Sequence, residues 1–373
     1  MSHEPETHTQ PVRKQWYRTK AFNLSLGLGV TVGCLWWAYL VIADGRPAAT
    51  VFREIGSAFA QANYWTLPPI WLLLFVFYWI KAWRWRMLLA PQGDFRTSTL
   101  FPPVMIGFAF NNVLPAHLGE FVRVFVFSRQ QRQPFSPVLI SVILERVLDI
   151  IAILGLLMLG LLFVPDLQQN EQIRGWMFVG AGFVSVALLG AAAYLIWTKP
   201  FVSVFEWFLQ WIPFLPASLK EKLSEMLEQG ASGLSSLKSG RLLAGLLFTS
   251  FLQWMINGVI ISLALWSFGF HFSIWVSCIV IGVTAFGVTI PSSPGYFGVI
   301  QTCFLLVLQF FTDDKDGVFA ASIYYHMAQW IPVTAIGLAY FVRTRLHVSD
   351  IEDAREEMSH EVEETATKVA TNV

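Results

Sequence analysis

The chain has 373 residues, of which 55% are hydrophobic and only 13% are Asp, Glu, Lys or Arg. Soluble domains carry about 25% charged residues, and the mean hydropathy here is +0.55. The composition therefore excludes a soluble enzyme and predicts an all-α polytopic membrane protein. The formal net charge is zero, and because no strongly basic face is indicated, we expect no nucleic-acid partner.

The N-terminal segment 1–21 is basic and predicted to be cytoplasmic. It is followed by an apolar run of 21 residues, Phe22–Ile42. This run is longer than the core of a typical signal peptide, so a retained helix is predicted. The three cysteines (Cys34, Cys278 and Cys303) all lie in apolar runs, without the spacing of metal ligands. We therefore expect neither a disulfide nor a metal site.

Six segments between residues 22 and 342 are long and apolar enough to cross a hydrocarbon core of about 30 Å. They are Phe22–Ile42, about Thr66–Ala90, Pro137–Val164, Trp176–Trp197, Leu242–Phe270 and Val318–Val342. The second ends in Lys81, Arg84 and Arg86, which we expect to reach the lipid headgroups.

Two further apolar stretches are broken in the middle. The first, about Thr99–Ser128, is interrupted by Asn111–Pro115, and the second, about Phe272–Phe311, by Pro291–Gly295. Irregular backbone at membrane depth is tolerated only where protein or a wet cavity covers it. Both stretches are therefore predicted to be re-entrant hairpins, with paired crossings as the alternative.

The distribution of Lys and Arg predicts the orientation. With a cytoplasmic N-terminus, the inner side collects 17 of these residues near the spans and the outer side only 4. The positive-inside rule then places both termini in the cytoplasm and the chain in the inner (cytoplasmic) membrane of the cell. The polar insertion 199–241 is predicted to be cytoplasmic, its helix lying at the interface or packing on the protein. The acidic tail 343–373 is also assigned to the cytoplasm.

This order contains an internal symmetry. Span two, the first hairpin and span three form one triplet, and span five, the second hairpin and span six form another of opposite orientation. An inverted repeat with broken helices in matching positions indicates a substrate site near the membrane midplane.

Ionisable residues are rare inside the spans and therefore informative. Glu145, Arg146 and Asp149 share one helix face, and Glu120 and Arg123 lie three residues apart in the first hairpin. Two hypotheses remain open: ion pairs that hold helices together, or a polar cavity that faces a substrate.

Helix starts after Pro115 and Pro294 provide a second candidate site. Their first N–H groups lack intrahelical partners, and the helix dipole favours an anion such as phosphate there. Polar side chains and glycines at the interruptions are candidate substrate-binding residues: Asn111, Asn112, Ser292, Ser293, Gly119, Gly295 and Gly298. His117 and His326 either face this cavity or are packed and neutral.

The motif Asn112-x-Leu114-Pro115-x-x-x-Gly119-Glu120-x-x-Arg123 resembles the lysylphosphatidylglycerol synthase transmembrane family. The resemblance continues with Glu145-Arg146-x-x-Asp149 and Pro291-x-x-Pro294-Gly295-x-x-Gly298, and covers about residues 20–342. It implies a flippase-like protein that translocates lipid between leaflets, with the broken helices lining the path. His117 stands where the family has Arg, and Gln301 where it has Glu. We expect any aminoacylated lipid to come from a separate lipid-modifying enzyme, because no synthase domain follows span six.

The sequence thus predicts translocation of an anionic or phosphate-bearing membrane lipid, without a cofactor and without enzymatic activity. Two alternatives stay open. One is a secondary transporter of a solute or ion, and the other is an integral-membrane enzyme acting on lipid-linked phosphate or sugar. We expect no enzyme because the sequence contains no His-Glu-x-x-His, paired Asp motif or Gly-rich nucleotide loop.

Overall fold

The computed structural model describes residues 13–114, 118–164, 240–289, 294–344 and 346, with single positions between 179 and 207. The α-helices with complete bounds are α1 (Arg13–Ala43), α2 (Ala48–Gln61), α3 (Leu67–Leu88), α4 (Thr97–Val113), α5 (Gly119–Gln131), α6 (Phe135–Phe163), α7 (Gly240–Ser267), α8 (Ile274–Gly287), α9 (Val299–Leu308) and α10 (Lys315–Arg343). Short 3₁₀ turns occur at Tyr64–Thr66 and Pro294–Tyr296. No strand occurs within these residues, which confirms the all-α prediction for this part of the chain.

Among the described residues, three helical stretches are long and apolar enough to cross a membrane: Tyr64–Leu88, Phe135–Phe163 and Gly240–Ser267. They coincide with the predicted spans two, three and five. A bent pair, Gly27–Ala43 with Ala48–Gln61, makes a fourth when it is counted as one span. α10 has the position predicted for span six, but it is not one of the stretches that are long and apolar enough to cross a membrane. Predicted span four, the insertion 199–241 and most of the tail lie outside the continuously described residues.

The bend of 91° between α1 and α2 is fixed by one arginine. Arg46 Nη2 donates to the Ile42 carbonyl at 2.6 Å, and it also donates to Asp316 Oδ2 at 2.8 Å. Arg46 further pairs with Glu54 on α2. We call this unit the elbow; it ties the end of α1 to the start of α10.

Both interrupted stretches are pairs of helices, as the sequence predicts. α8 has 14 residues and α9 has 10, which correspond to about 21 Å and about 15 Å at 1.5 Å per residue. Neither arm reaches across a core of about 30 Å.

The arms of the first hairpin, α4 and α5, cross with their backbones in contact. A methyl group placed on Gly119 would overlap the carbonyl oxygen of Gly107, and one on Gly107 would lie 2.8 Å from Arg123 Cβ. Glycine at both positions therefore allows α5 to fold back tightly along α4.

Each hairpin packs against the opposite half of the chain. α4 lies along α10, α8 lies along α6, and the two long helices α3 and α7 pack on each other. Small residues allow these contacts: Gly337 of α10 meets the backbone of α4, and Gly160 of α6 meets the backbone of α8. The described helices thereby surround a polar region formed mainly by α3, α5, α6, α7 and α10.

Candidate functional site

Five charged side chains form a buried ion cluster: Lys81 and Arg84 of α3, Arg123 of α5, and Glu145 and Asp149 of α6. Lys81 Nζ lies 2.9 Å from Glu145 Oε1 and 3.0 Å from Asp149 Oδ2. Arg84 Nη2 lies 2.7 Å from Asp149 Oδ1. Each of these side chains is at most 3% exposed. Three cations thus surround two carboxylates.

Helix periodicity produces this cluster. Lys81 and Arg84 are three residues apart on α3, while Glu145 and Asp149 are four apart on α6, so each pair occupies one helix face. Arg123 completes the cluster with a bidentate contact, from Nη1 to Glu145 Oε1 at 3.1 Å and from Nη2 to Oε2 at 2.8 Å. Two planar groups that meet in this way are held in a defined orientation.

Uncharged neighbours also contact the cluster. Arg84 Nη1 donates to Ser250 Oγ at 2.6 Å, and Trp254 Nε1 donates to Asp149 Oδ1 at 3.0 Å. The guanidinium of Arg123 lies 3.8 Å from the centroid of the Trp85 ring, a cation–π contact. The cluster therefore joins α3, α5, α6 and α7.

A second charged pair, Arg146 of α6 with Glu120 of α5, is much more accessible. The Arg146 side chain is 38% exposed and that of Glu120 is 22% exposed. Arg146 Nη1 also lies 3.7 Å from Asp149 Oδ2, which connects this pair to the buried ion cluster.

Arg146 and Glu120 line a cavity of about 820 Å³. One part of its wall is apolar and comes mainly from α6 and α8, and the rest is polar. The apolar lining consists of Leu139, Val142, Ile143, Ile150, Ile153, Leu154, Ile281, Ala285, Phe286, Val288, Ile300 and Val333. The polar and aromatic lining consists of Tyr78, Asn112, Glu120, Arg146, Asp149, Trp254, Asn257, Thr284, Thr289, Tyr296, Tyr325, His326, Gln329 and Trp330. The cavity thus offers both environments that an amphiphile needs.

Both hypotheses for the charged residues describe part of the structure. Arg123 and Glu145 belong to the buried ion cluster and do not line the cavity, whereas Glu120, Arg146 and Asp149 do. Ion pairing between helices and a cavity-facing polar surface therefore coexist on α6, and Asp149 takes part in both.

The two interruptions meet each other, as expected from their matching positions. A methyl group built on Gly295 would lie 3.3 Å from the carbonyl oxygen of Asn112. It would also lie 2.8 Å from Trp330 Nε1. Asn112 itself donates to Thr334 Oγ1 on α10 at 2.9 Å and lines the cavity.

Two of the N–H groups at the helix starts, which were predicted to be open, have partners within the chain. Asn111 Oδ1 accepts from the Gly119 N–H at 2.8 Å, and Gln301 Oε1 accepts from the Gly298 N–H at 2.8 Å. The prediction that a ligand meets these N–H groups is therefore wrong at Gly119 and Gly298, because side-chain amides of the chain itself satisfy them. Neither Asn111 nor Gln301 lines the cavity.

The other predicted site residues divide into three groups. His326 lines the cavity and lies 3.3 Å from Gln301 Nε2 through Nδ1. Pro294 and Gly295 form the 3₁₀ turn beside α4, and Gly298 packs against α1. The predictions for Pro115, His117, Ser292 and Ser293 fall outside the described residues.

A family model described as the lysylphosphatidylglycerol synthase TM region matches residues 24–337. The chain belongs to this family. Together with the candidate spans, this membership identifies a multi-pass membrane protein.

Two curated relatives are similar to this family member at low identity. The UPF0104 membrane protein MJ1078 of Methanocaldococcus jannaschii is 24% identical over 237 residues, covering 62% of this chain and 92% of the relative. Glycosyltransferase AglD of Haloferax volcanii is 24% identical over 324 residues, covering 78% of this chain and 49% of AglD. The chain thus spans about half the length of that glycosyltransferase. No solved structure matches.

Sequence reasoning misplaced two important residues. Lys81 and Arg84 were expected in the headgroup region, but they are only 1% and 0% exposed because they neutralise the acids of α6. When Lys81 and Arg84 are left out of the count, 15 Lys and Arg residues lie on the inner side and 4 on the outer side. This distribution still favours the same orientation. Arg86 does reach the surface, with 43% exposure, and pairs with Asp94.

Apart from His326, the polar contribution of α7 and α10 to the cavity was also missed. Trp254 and Asn257 are three residues apart in span five, and Tyr325 and Gln329 are four apart on α10. Helical spacing of polar side chains within a predicted span was the available indication.

Proposed function

We propose that this protein moves a lipid with an anionic or phosphate-bearing headgroup between the two leaflets through the cavity. The observation that carries the proposal is an excess of positive charge beside an amphipathic cavity. The buried ion cluster and the Glu120–Arg146 pair contain four cations and three carboxylates, a sum of +1.

An unbalanced charge in a poorly hydrated region is costly unless an opposite charge approaches it. A headgroup phosphate in the cavity supplies that charge. Arg146 is the group placed to meet it, because its side chain is 38% exposed while the other three cations are at most 1% exposed.

The apolar wall supports a lipid rather than a small solute. Ile150 and Phe286 both line the cavity, and they are 53% and 47% exposed. Apolar side chains that line the cavity and are also exposed on the surface of the protein provide a route for acyl chains. The headgroup then crosses along the polar wall while the chains stay in the bilayer.

We also propose that the chain has six full spans and two re-entrant hairpins in an inverted repeat, with both termini cytoplasmic in the inner membrane. The reciprocal packing of α4 on α10 and of α8 on α6 supports the repeat. Single cysteines at Lys315 and at Lys222 test the orientation with an impermeant thiol reagent, in a background without native cysteines. Lys315→Cys should be labelled only from outside and Lys222→Cys only from inside. Labelling of both from the same side would overturn the orientation.

The transport proposal is tested with purified protein in liposomes that carry acyl-labelled phosphatidylglycerol. We expect the protein to increase the rate at which the lipid becomes accessible to an external quencher. Arg146→Gln should lower that rate about tenfold, since one charge-assisted contact of about 1.5 kcal/mol is lost. Arg129→Gln on α5 is the matched control, because Arg129 is exposed and does not line the cavity. Wild-type liposomes with the same rate as protein-free liposomes would refute the proposal.

A second candidate is an integral-membrane enzyme acting on lipid-linked sugar, and the name of the relative AglD favours it. Mass spectrometry of liposome lipids before and after incubation separates the two. Transport predicts redistribution of unchanged lipid, whereas an enzyme produces a lipid of new mass. Uptake of soluble glycerol phosphate without lipid movement would instead favour a solute transporter.

A further inference from the structure

Uncharged hydrogen-bonding groups of α7 and α10 form a distinct part of the cavity wall. Asn257, Tyr325, Gln329 and Trp330 all line it. The Tyr325 hydroxyl donates to Asn257 Oδ1 at 2.8 Å, which leaves the amide nitrogen of Asn257 as a donor. We call these four residues the neutral polar wall.

Two polar atoms on uncharged residues of the cavity lining have no hydrogen-bond partner among the described residues. They are Trp330 Nε1 and Thr284 Oγ1, and both atoms are buried. A buried donor without a partner is costly, and such groups in native proteins usually meet a water or a ligand. Together with the neutral polar wall, these atoms give the uncharged part of the lining an unused capacity for hydrogen bonding.

Each carboxylate of the site already pairs with a cation, although Glu120 does so through Oε1 and its buried Oε2 has no hydrogen-bond partner among the described residues. Glu120 pairs with Arg146, and Asp149 pairs with Lys81 and Arg84. The cavity-lining acids of the described chain are these two. An ammonium group on a ligand would therefore compete with existing ion pairs and add to the excess of +1.

We propose that the transported headgroup is a single phosphate joined to an uncharged polyol or sugar. This inference rests on the proposed lipid transport. The phosphate approaches Arg146 and neutralises the excess charge, while the hydroxyl groups bind the neutral polar wall. A site built to bind hydroxyl groups disfavours analogues that lack them, because its own polar groups are then left unpaired.

Liposomes with acyl-labelled lipids that differ only in the headgroup test this proposal. The probes are phosphatidylinositol, phosphatidylglycerol, phosphatidic acid, phosphatidylethanolamine and lysyl-phosphatidylglycerol. We expect phosphatidylinositol and phosphatidylglycerol to move about tenfold faster than the other three, which corresponds to about 1.4 kcal/mol. If phosphatidic acid moved as fast as phosphatidylinositol and phosphatidylglycerol, the proposed role of the hydroxyl groups would be overturned. If phosphatidylethanolamine or lysyl-phosphatidylglycerol moved as fast as phosphatidylinositol, the proposed exclusion of ammonium groups would be overturned.

Variants connect the selectivity to the wall. Gln329→Leu and Asn257→Leu should each lower the ratio of the phosphatidylinositol rate to the phosphatidic acid rate about three- to tenfold. Ser262→Ala is the control on α7: its hydroxyl lies 2.8 Å from Ser277 Oγ, outside the cavity lining, so the ratio should not change. Should Asn257→Leu fail to fold, Tyr325→Phe tests the same hydrogen bond with less change in shape.

The two proposals fail in different ways. If the wild-type protein moves none of the five lipids, lipid transport itself is refuted. If it moves all five at similar rates, or if the variants leave the ratio unchanged, lipid transport stands and the polyol headgroup is refuted.

Discussion

The two broken hairpins occupy corresponding places in the chain but differ in chemistry. The first brings Glu120 and Arg123 to the charged groups of α6. The second contains no Asp, Glu, Lys or Arg between residues 272 and 311. Its helix start is satisfied by the neutral Gln301, and its Gly298 packs against α1. A hairpin of this kind therefore forms with or without charged residues. The positive charge of the cavity comes from one half of the chain.

Disrupting the contact between the arms of the first hairpin should have the largest effect. Gly119→Ala forces a methyl group into the Gly107 carbonyl, so we expect a loss of more than about 4 kcal/mol and no recovery of folded protein. Size-exclusion chromatography in detergent measures this. Gly245→Ala on α7 is the control, because a methyl group there meets nothing within 4 Å. A monodisperse Gly119→Ala protein would show that the two arms separate readily.

Removing a charge from the buried ion cluster should have the next largest effect. Arg123→Ala leaves Glu145 without its bidentate partner, which typically costs about 3–5 kcal/mol. Arg146→Ala removes a half-exposed charge and should cost less than about 1 kcal/mol in stability. Thermal unfolding in detergent compares the two. Similar unfolding temperatures for both variants would contradict the distinction between the cluster and the cavity pair.

The second hairpin should respond more mildly. Gly298 has φ +82°, and a methyl group there would lie 2.9 Å from the Thr31 carbonyl oxygen. Gly298→Ala should therefore cost about 1–2 kcal/mol for the left-handed backbone, with an additional cost for the contact with α1. Gly45→Ala isolates the backbone cost, since φ is +81° and nothing lies within 4 Å. Equal losses of stability in the two variants would show that α1 moves aside without cost.

Hydrophobic periodicity and helix breakers were sufficient to predict both interruptions and the helices at spans two, three and five, whereas α2 and its bend against α1 were not predicted. Pro and Gly act locally on the backbone, so their effect can be inferred from the sequence. The partners of the charged residues depend on how α3 rotates relative to α6, which no local pattern specifies. Lys81 and Arg84 were therefore assigned to the surface, while the shared face of Glu145, Arg146 and Asp149 was predicted correctly.

The partners of the polar groups at the interruptions could not be predicted either. The sequence places Asn111 at the first interruption, and its side chain does meet the helix start at Gly119, as that of Gln301 meets the start at Gly298. It does not indicate that these amides turn toward the backbone of their own hairpins. That choice depends on the folded path of residues on both sides of each interruption.

The elbow has a consequence for how the protein is made. Arg46 and Asp316 are separated by 270 positions in the chain, so the arginine leaves the ribosome long before its acidic partner is synthesised. Chains are translated at about 5–20 residues per second, which leaves Arg46 without Asp316 for about 14–54 seconds. During this interval only the nearby carbonyls of α1 and Glu54 are available to it. The elbow can therefore close only after the start of α10 has been synthesised, when α10 joins α1.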